Sequence, residues 1–157
     1  MKPNIEISEK NLKKVATILN TLLADEYILY TKTRNAHWNV LGNNFSELHK
    51  FFEMQYAAID VMIDDVAERV RALGHFALGT LKDFLAVARL SEHNEDFSNQ
   101  NHIIGTLLED NESIIRSLRK DIPAVSDDCR DLGTADFMTG LMEQHEKMAW
   151  MLRSYLK

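Results

Sequence analysis

Residues 45–70 read FSELHKFFEMQYAAIDVMIDDVAERV. Phe45, Leu48, Phe52, Tyr56, Ile59, Ile63, Val66 and Val70 recur at steps of three or four, the period of one helix face, for about seven turns. A helix of that length with one apolar stripe must be covered by other helices, so an all-α bundle is the first expectation. A second pattern lies beside the stripe. His49 with Glu53, and Asp64 with Glu68, are each spaced i,i+4 and project from a common face. At about 100° per residue the four fall within an arc of ~100°.

The flanking chain supplies the covering helices. Upstream, Val15, Ile18, Leu19, Leu22 and Leu29 keep helical spacing from about Ser8, a suitable N-cap, to His37. The stretch NVLGNN (residues 39–44) breaks the pattern, and Asn44 followed by Glu47 has the form of a capping box for the second helix, which ends near Gly74. Thr80 caps a short helix through Phe84, Leu85 and Val87, inside a long crossover that closes with SEHNEDFSNQN (residues 91–101). A third helix is expected from about Ser98 to Lys120, with Ile104, Leu107, Leu108, Ile115 and Leu118 in phase, stopping before Pro123. After an acidic loop, Thr134 caps a fourth, with Phe137, Leu141, His145, Met148 and Leu152 as its stripe. The expectation is one domain over residues 1–157, a four-helix bundle with a short helix in the crossover between helices two and three, the topology of ferritin-like folds.

Composition agrees. Of 157 residues 45% are hydrophobic and 27% charged, with only 6 Gly and 2 Pro, which argues against an all-β chain of tight turns. Eighteen Lys+Arg against 24 Asp+Glu give a net charge of −6 without a block of like charge, so generic attraction to DNA or to an anionic membrane is not expected. Cys129 is the single cysteine, and the start, MKPNIEISEKNLKK, has no apolar signal core. No apolar run approaches the ~20 residues that span a bilayer. A cytoplasmic protein with no membrane association is expected.

Imidazoles mixed with carboxylates suit iron, manganese or zinc, and an oxygen-rich set suits ferrous iron. One chain cannot bring all four helix-two residues to one ion, because Glu53 and Asp64 are ~16 Å apart along the axis and His49 and Glu68 ~28 Å. Both pairs are, however, centred on the same point, between Ala58 and Ile59. Two copies crossing antiparallel there would set His49 opposite Glu68 and Glu53 opposite Asp64, with the small Ala57 and Ala58 at the crossing. His37 precedes Asn43 by as many residues as His49 follows it, so a hairpin turning at Asn43 puts the two histidines at one level. The bland alternatives are a solvated acidic face, a Glu68–Arg71 ion pair, and hydrogen-bonded structural histidines.

The segment His37-Trp38-Asn39-Val40, then Gly42, Phe45, Leu48-His49, Phe52-Glu53, Tyr56, Asp64, Ala67-Glu68-Arg69, Leu73-Gly74 and Ala77-Leu78-Gly79, resembles the signature of Dps proteins, the mini-ferritins. Thr134-Ala135-Asp136 and Trp150 extend the resemblance to the fourth helix. It implies a shell of twelve identical subunits, a dodecamer, with ferroxidase centres at two-fold interfaces. Iron is the substrate, hydrogen peroxide or oxygen the oxidant, and a ferric mineral the product. Carried over, the centre would be His37, His49 and Glu53 of one chain with Asp64 and Glu68 of its neighbour. Glu53 departs from the family pattern, which commonly has Asp there. Trp38 would pack near the centre or intercept oxidising equivalents, with apolar packing the expected role. Asp127, Asp128, Asp131 and Asp136 would lie by an acidic three-fold channel, or else form a solvated loop.

Cys129 is expected to be a free thiol without a catalytic partner. His145 reads as a satisfied bundle histidine, His75, His93 and His102 show no ligand spacing, and Met138, Met142, Met148 and Met151 read as core or contact surface. Three other functions compete. A DNA-compacting role needs a free basic tail, whereas here Lys2, Lys10, Lys13 and Lys14 are offset by Glu6 and Glu9. A conventional ferritin builds its centre inside one bundle with Glu-x-x-His motifs, and none occurs. A plain helical adaptor would show no iron chemistry dependent on His49 and Asp64.

Overall fold

The computed structural model describes residues 3–92 and 96–156; His93 lies outside the described residues. Among them the chain forms α1 (Glu9–Asn39), α2 (Phe45–Ala72), a short α3 (Leu81–Val87), α4 (Gln100–Pro123) and α5 (Leu132–Tyr155), with no strand. α1 packs along α2 and α4 along α5 as two hairpins, and the crossover carrying α3 lies against α1. No described helix is long and apolar enough to cross a membrane.

The apolar stripes meet in one core. Val15, Leu19, Leu22 and Leu29 of α1 are buried with Leu48, Phe52, Ile59, Val66 and Val70 of α2, Leu107 and Leu118 of α4, and Leu141 and Leu152 of α5. Each such side chain contributes about 1.5–3 kcal/mol relative to leaving it in water. Ser8 caps α1 by accepting from Asn11 N–H, and Thr80 caps α3 by accepting from Asp83 N–H, both as the sequence predicts.

Several polar groups inside this core form specific pairs, although Glu26 Oε2 and Gln55 Nε2 have no partner among the described residues. His145, with no exposed surface, donates from Nδ1 to Asn111 Oδ1 at 2.9 Å, while its Nε2 stands 2.7 Å from Glu26 Oε1. Asn111 turns its oxygen to the ring because its amide nitrogen donates to Leu107 O. His145 is thus the satisfied bundle histidine the sequence suggests. Asp25, also buried, accepts from the N–H groups of Arg89 and Leu90 and from Arg89 Nε, which pins the crossover onto α1.

Five expectations need correction. α4 runs through Pro123 and widens into a π-helical turn, Ala124–Asp128, in which Cys129 N–H donates to Ala124 O. A proline removes the i→i−4 bond but has helical φ here, and the fully buried Val125 and Cys129 hold the turn against the core. α5 is capped by Asp131, not Thr134, which instead supplies the N–H that the cap receives. Asn44 makes no side-chain cap bond to α2. Phe45 and Trp38, expected to be packed, are 45% and 62% exposed.

Gly42 closes the α1–α2 turn at φ +119°, and a Cβ there would lie 2.7 Å from Gln100 Nε2. That amide donates to Leu41 O, and Leu41 N–H donates to Phe97 O, so the end of the crossover is bound to the tip of the first hairpin.

Candidate metal centre

The hairpin brings His37, on the last turn of α1, level with His49, on the first turns of α2. Their rings stack with centroids 3.7 Å apart and planes inclined by 21°. His37 Nδ1 donates to His49 O at 2.7 Å, and His49 Nδ1 donates to His37 O at 2.8 Å. A carbonyl accepts only from N–H, so both rings carry a proton on Nδ1, and the neutral form of each would offer Nε2 as the ligating atom. The bond to His37 O also supplies a partner at the end of α1, where Leu41 N–H is engaged by Phe97 O instead. Hydrogen bonds from one ring nitrogen to a backbone carbonyl commonly orient histidines that ligate metals through the other.

Aromatic rings frame the pair. Tyr56 meets His37 edge-on at 5.2 Å, and Phe45 lies tilted over His49 at 5.3 Å, which is why Phe45 leaves the core stripe. The Arg34 guanidinium covers the faces of Tyr56 at 4.7 Å and Trp38 at 5.3 Å, and its bond to the Tyr30 hydroxyl oxygen raises its already high pKa. Trp38 therefore packs on a cation at the surface.

Glu53 lies one turn beyond His49 and is exposed. Asp64 and Glu68 are exposed further along the same helix, Asp64 in a shallow groove with Tyr27, Asp60 and Ala67. Arg71 donates to His75 O rather than pairing with Glu68. Among the described residues of one chain, no three His, Cys, Asp or Glu side chains come together around a metal position. The chain thus brings His37 and His49 together, with Glu53 one turn further along α2 and Asp64 and Glu68 several turns beyond.

The acidic segment divides. Asp127, Asp128 and Asp136 are exposed, and Asp128 binds Lys14 at 3.1 Å, which raises the lysine's pKa. Asp131 is 3% exposed. Its carboxylate accepts from Thr134 N–H, the Thr134 hydroxyl and Arg69, so it is a buried cap rather than a channel-facing group. Cys129 is a buried free thiol. Arg69 stands in the sequence motif without an assigned role, and Asp25 and Glu26 are not singled out by the sequence at all. The last two fall in phase with Leu22 and Leu29 on the buried stripe, a periodicity that marks them as interior.

Four long helices in two hairpins joined by a crossover, with imidazoles and carboxylates on helix faces, define a ferritin-like bundle. A family model, the ferritin-like domain, matches residues 16–157. The chain is 42% identical over 154 residues to a low temperature-induced protein of Nostoc sp., covering 98% of this chain and 86% of that one. It is 33% identical over 144 residues to DNA protection during starvation protein 2 of Bacillus anthracis, covering 92% and 97%. It superposes on a Dps protein from Vibrio cholerae O1, described as a member of a broad superfamily of ferritin-like diiron-carboxylate proteins, with a TM-score of 0.91 at 29% identity, covering 100% and 98%. This chain belongs to the Dps family of ferritin-like proteins.

Proposed function

We propose that this chain oxidises ferrous iron and stores the ferric product as mineral within a dodecameric shell of its own copies, using hydrogen peroxide in preference to oxygen. Each centre is completed across a two-fold axis, His37, His49 and Glu53 coming from one chain and Asp64 and Glu68 from its neighbour. The observation that carries this reading is the His37–His49 clasp, in which both imidazoles are fixed through Nδ1 to backbone carbonyls; Glu53 follows His49 by one helical turn. Asp64 and Glu68, exposed and centred on the same point of α2 as His49 and Glu53, supply the complementary half.

Iron is substrate here. The imidazoles bind as neutral donors and the carboxylates offset the cation's charge. Two ferrous ions give one electron each, and peroxide takes both with two protons to form two waters, so no single-electron oxygen radical is released. The DNA protection in the relatives' names is met by removing iron and peroxide, and direct contact with DNA is not favoured. Lys10, Lys13 and Lys14 lie on α1 rather than on a free tail, and Lys14 is paired with Asp128.

The test is anaerobic ferrous titration followed by peroxide, comparing the native chain with His49→Ala and Asp64→Ala. Each variant is expected to lose the rapid oxidation phase while remaining assembled. Undiminished oxidation by either would remove the reading.

A further inference from the structure

Asp64 and Glu68 have no hydrogen bond or ion pair to other side chains among the described residues, so their positions are set by where α2 itself is held. At its start α2 is fixed to α1 by the histidine clasp. Near its end stands Arg69, directly after Glu68 and turned toward α5. Arg69 Nε donates to Thr134 Oγ1 at 2.9 Å and Nη2 reaches Asp131 Oδ1 at 3.4 Å. Asp131 in turn accepts from the Thr134 hydroxyl and, at 2.9 Å, from Thr134 N–H. Guanidinium, hydroxyl and carboxylate thus form a closed triangle, with Thr134 fully buried and Asp131 3% exposed. Gly133 makes room for it, since a Cβ there would lie 3.2 Å from the guanidinium.

We infer that Arg69 is a positioning residue for the carboxylate half of the iron site, holding the Asp64–Glu68 end of α2 at a fixed height and rotation through Thr134 and Asp131. The inference rests on the proposed ferroxidase reading. Its physical basis is that two ligands on a helix surface reach a neighbour's two histidines only if both helix ends are held, and sites loosen when their supporting groups are lost. The clamp also joins the acidic segment to the site-bearing helix, because Asp131 of that segment accepts from Arg69 of α2.

The test uses the assembled full chain with Co2+ as the probe, read by its visible absorption under anaerobic titration, together with initial rates of peroxide-driven iron oxidation. Arg69→Gln and Thr134→Val are each expected to weaken Co2+ binding about 10–100-fold, the range for lost outer-shell partners. The absorption bands should shift, and the KM for ferrous iron should rise more than kcat falls. Thr134→Ser, which restores the hydroxyl, is expected to return all three to the native values. Thr134→Val keeps the Arg69 charge and decides the matter should Arg69→Gln not assemble. Native Co2+ affinity and spectrum in assembled Thr134→Val, with only a lowered Tm, would overturn the inference. Asp64→Asn separates the two levels: if it leaves the Co2+ signal intact, the ligand assignment fails and not merely the clamp.

Discussion

The imidazoles of His37 and His49 are each oriented by the other's backbone, through two Nδ1–H bonds of 2.7 and 2.8 Å across a ring stack of 3.7 Å. His37→Ala or His49→Ala, each removing a proposed ligand, is therefore expected to lower Co2+ affinity by at least about 10-fold, the lower end for the loss of a supporting partner. The double variant should lose less than the sum, with a coupling energy of about 0.5–3 kcal/mol. Calorimetric titration of the four proteins measures the cycle, and strictly additive losses would show two independent rings.

The same clasp closes the end of α1. His49→Phe keeps an aromatic ring near His37 but removes the donor to His37 O, and is expected to cost about 1 kcal/mol in urea unfolding, the size of one hydrogen bond. No change in the midpoint would mean that solvent replaces the imidazole at no cost.

Within the bundle, Glu26 depends on His145, and its Oε2 has no partner among the described residues. His145→Ala leaves a carboxylate in apolar surroundings, and a loss of about 3–5 kcal/mol is expected in urea unfolding. Replacing both partners, Glu26→Leu with His145→Phe, should recover most of it, whereas iron oxidation per assembled shell should be native in that double variant. A small effect of His145→Ala alone would show the carboxylate to be solvated.

Asp25 holds the crossover by three bonds from Arg89 and Leu90. In Asp25→Ala the amides of Arg89 and Leu90 are expected to exchange with deuterium markedly faster, while those of the α1–α2 hairpin stay protected. Uniform acceleration throughout the bundle would mean that the staple supports the global fold rather than the crossover.

The helices were legible in the sequence because a 3.6-residue apolar period survives any tertiary arrangement, and the His37–His49 level followed from a hairpin with a short turn. What escaped depends on partners distant in the chain. Pro123 reads locally as a stop, yet burial of Val125 and Cys129 carries the chain on into a wider turn. Asp131 reads as one acid in a solvated run, and its burial is set by Arg69, which no local pattern announces. Trp38 reads as core, yet it lies at the surface under an arginine whose position only the α1 helix face reveals.

The most direct test of two chains completing one centre is complementation between His49→Ala and Asp64→Asn. Each alone is expected to be inactive in peroxide-driven iron oxidation. After dissociation and reassembly in equal amounts, a mixed pair keeps one intact centre, so about a quarter of the native activity should return under random two-fold pairing. Mixed shells verified by mass spectrometry that recover none would contradict a centre shared between subunits.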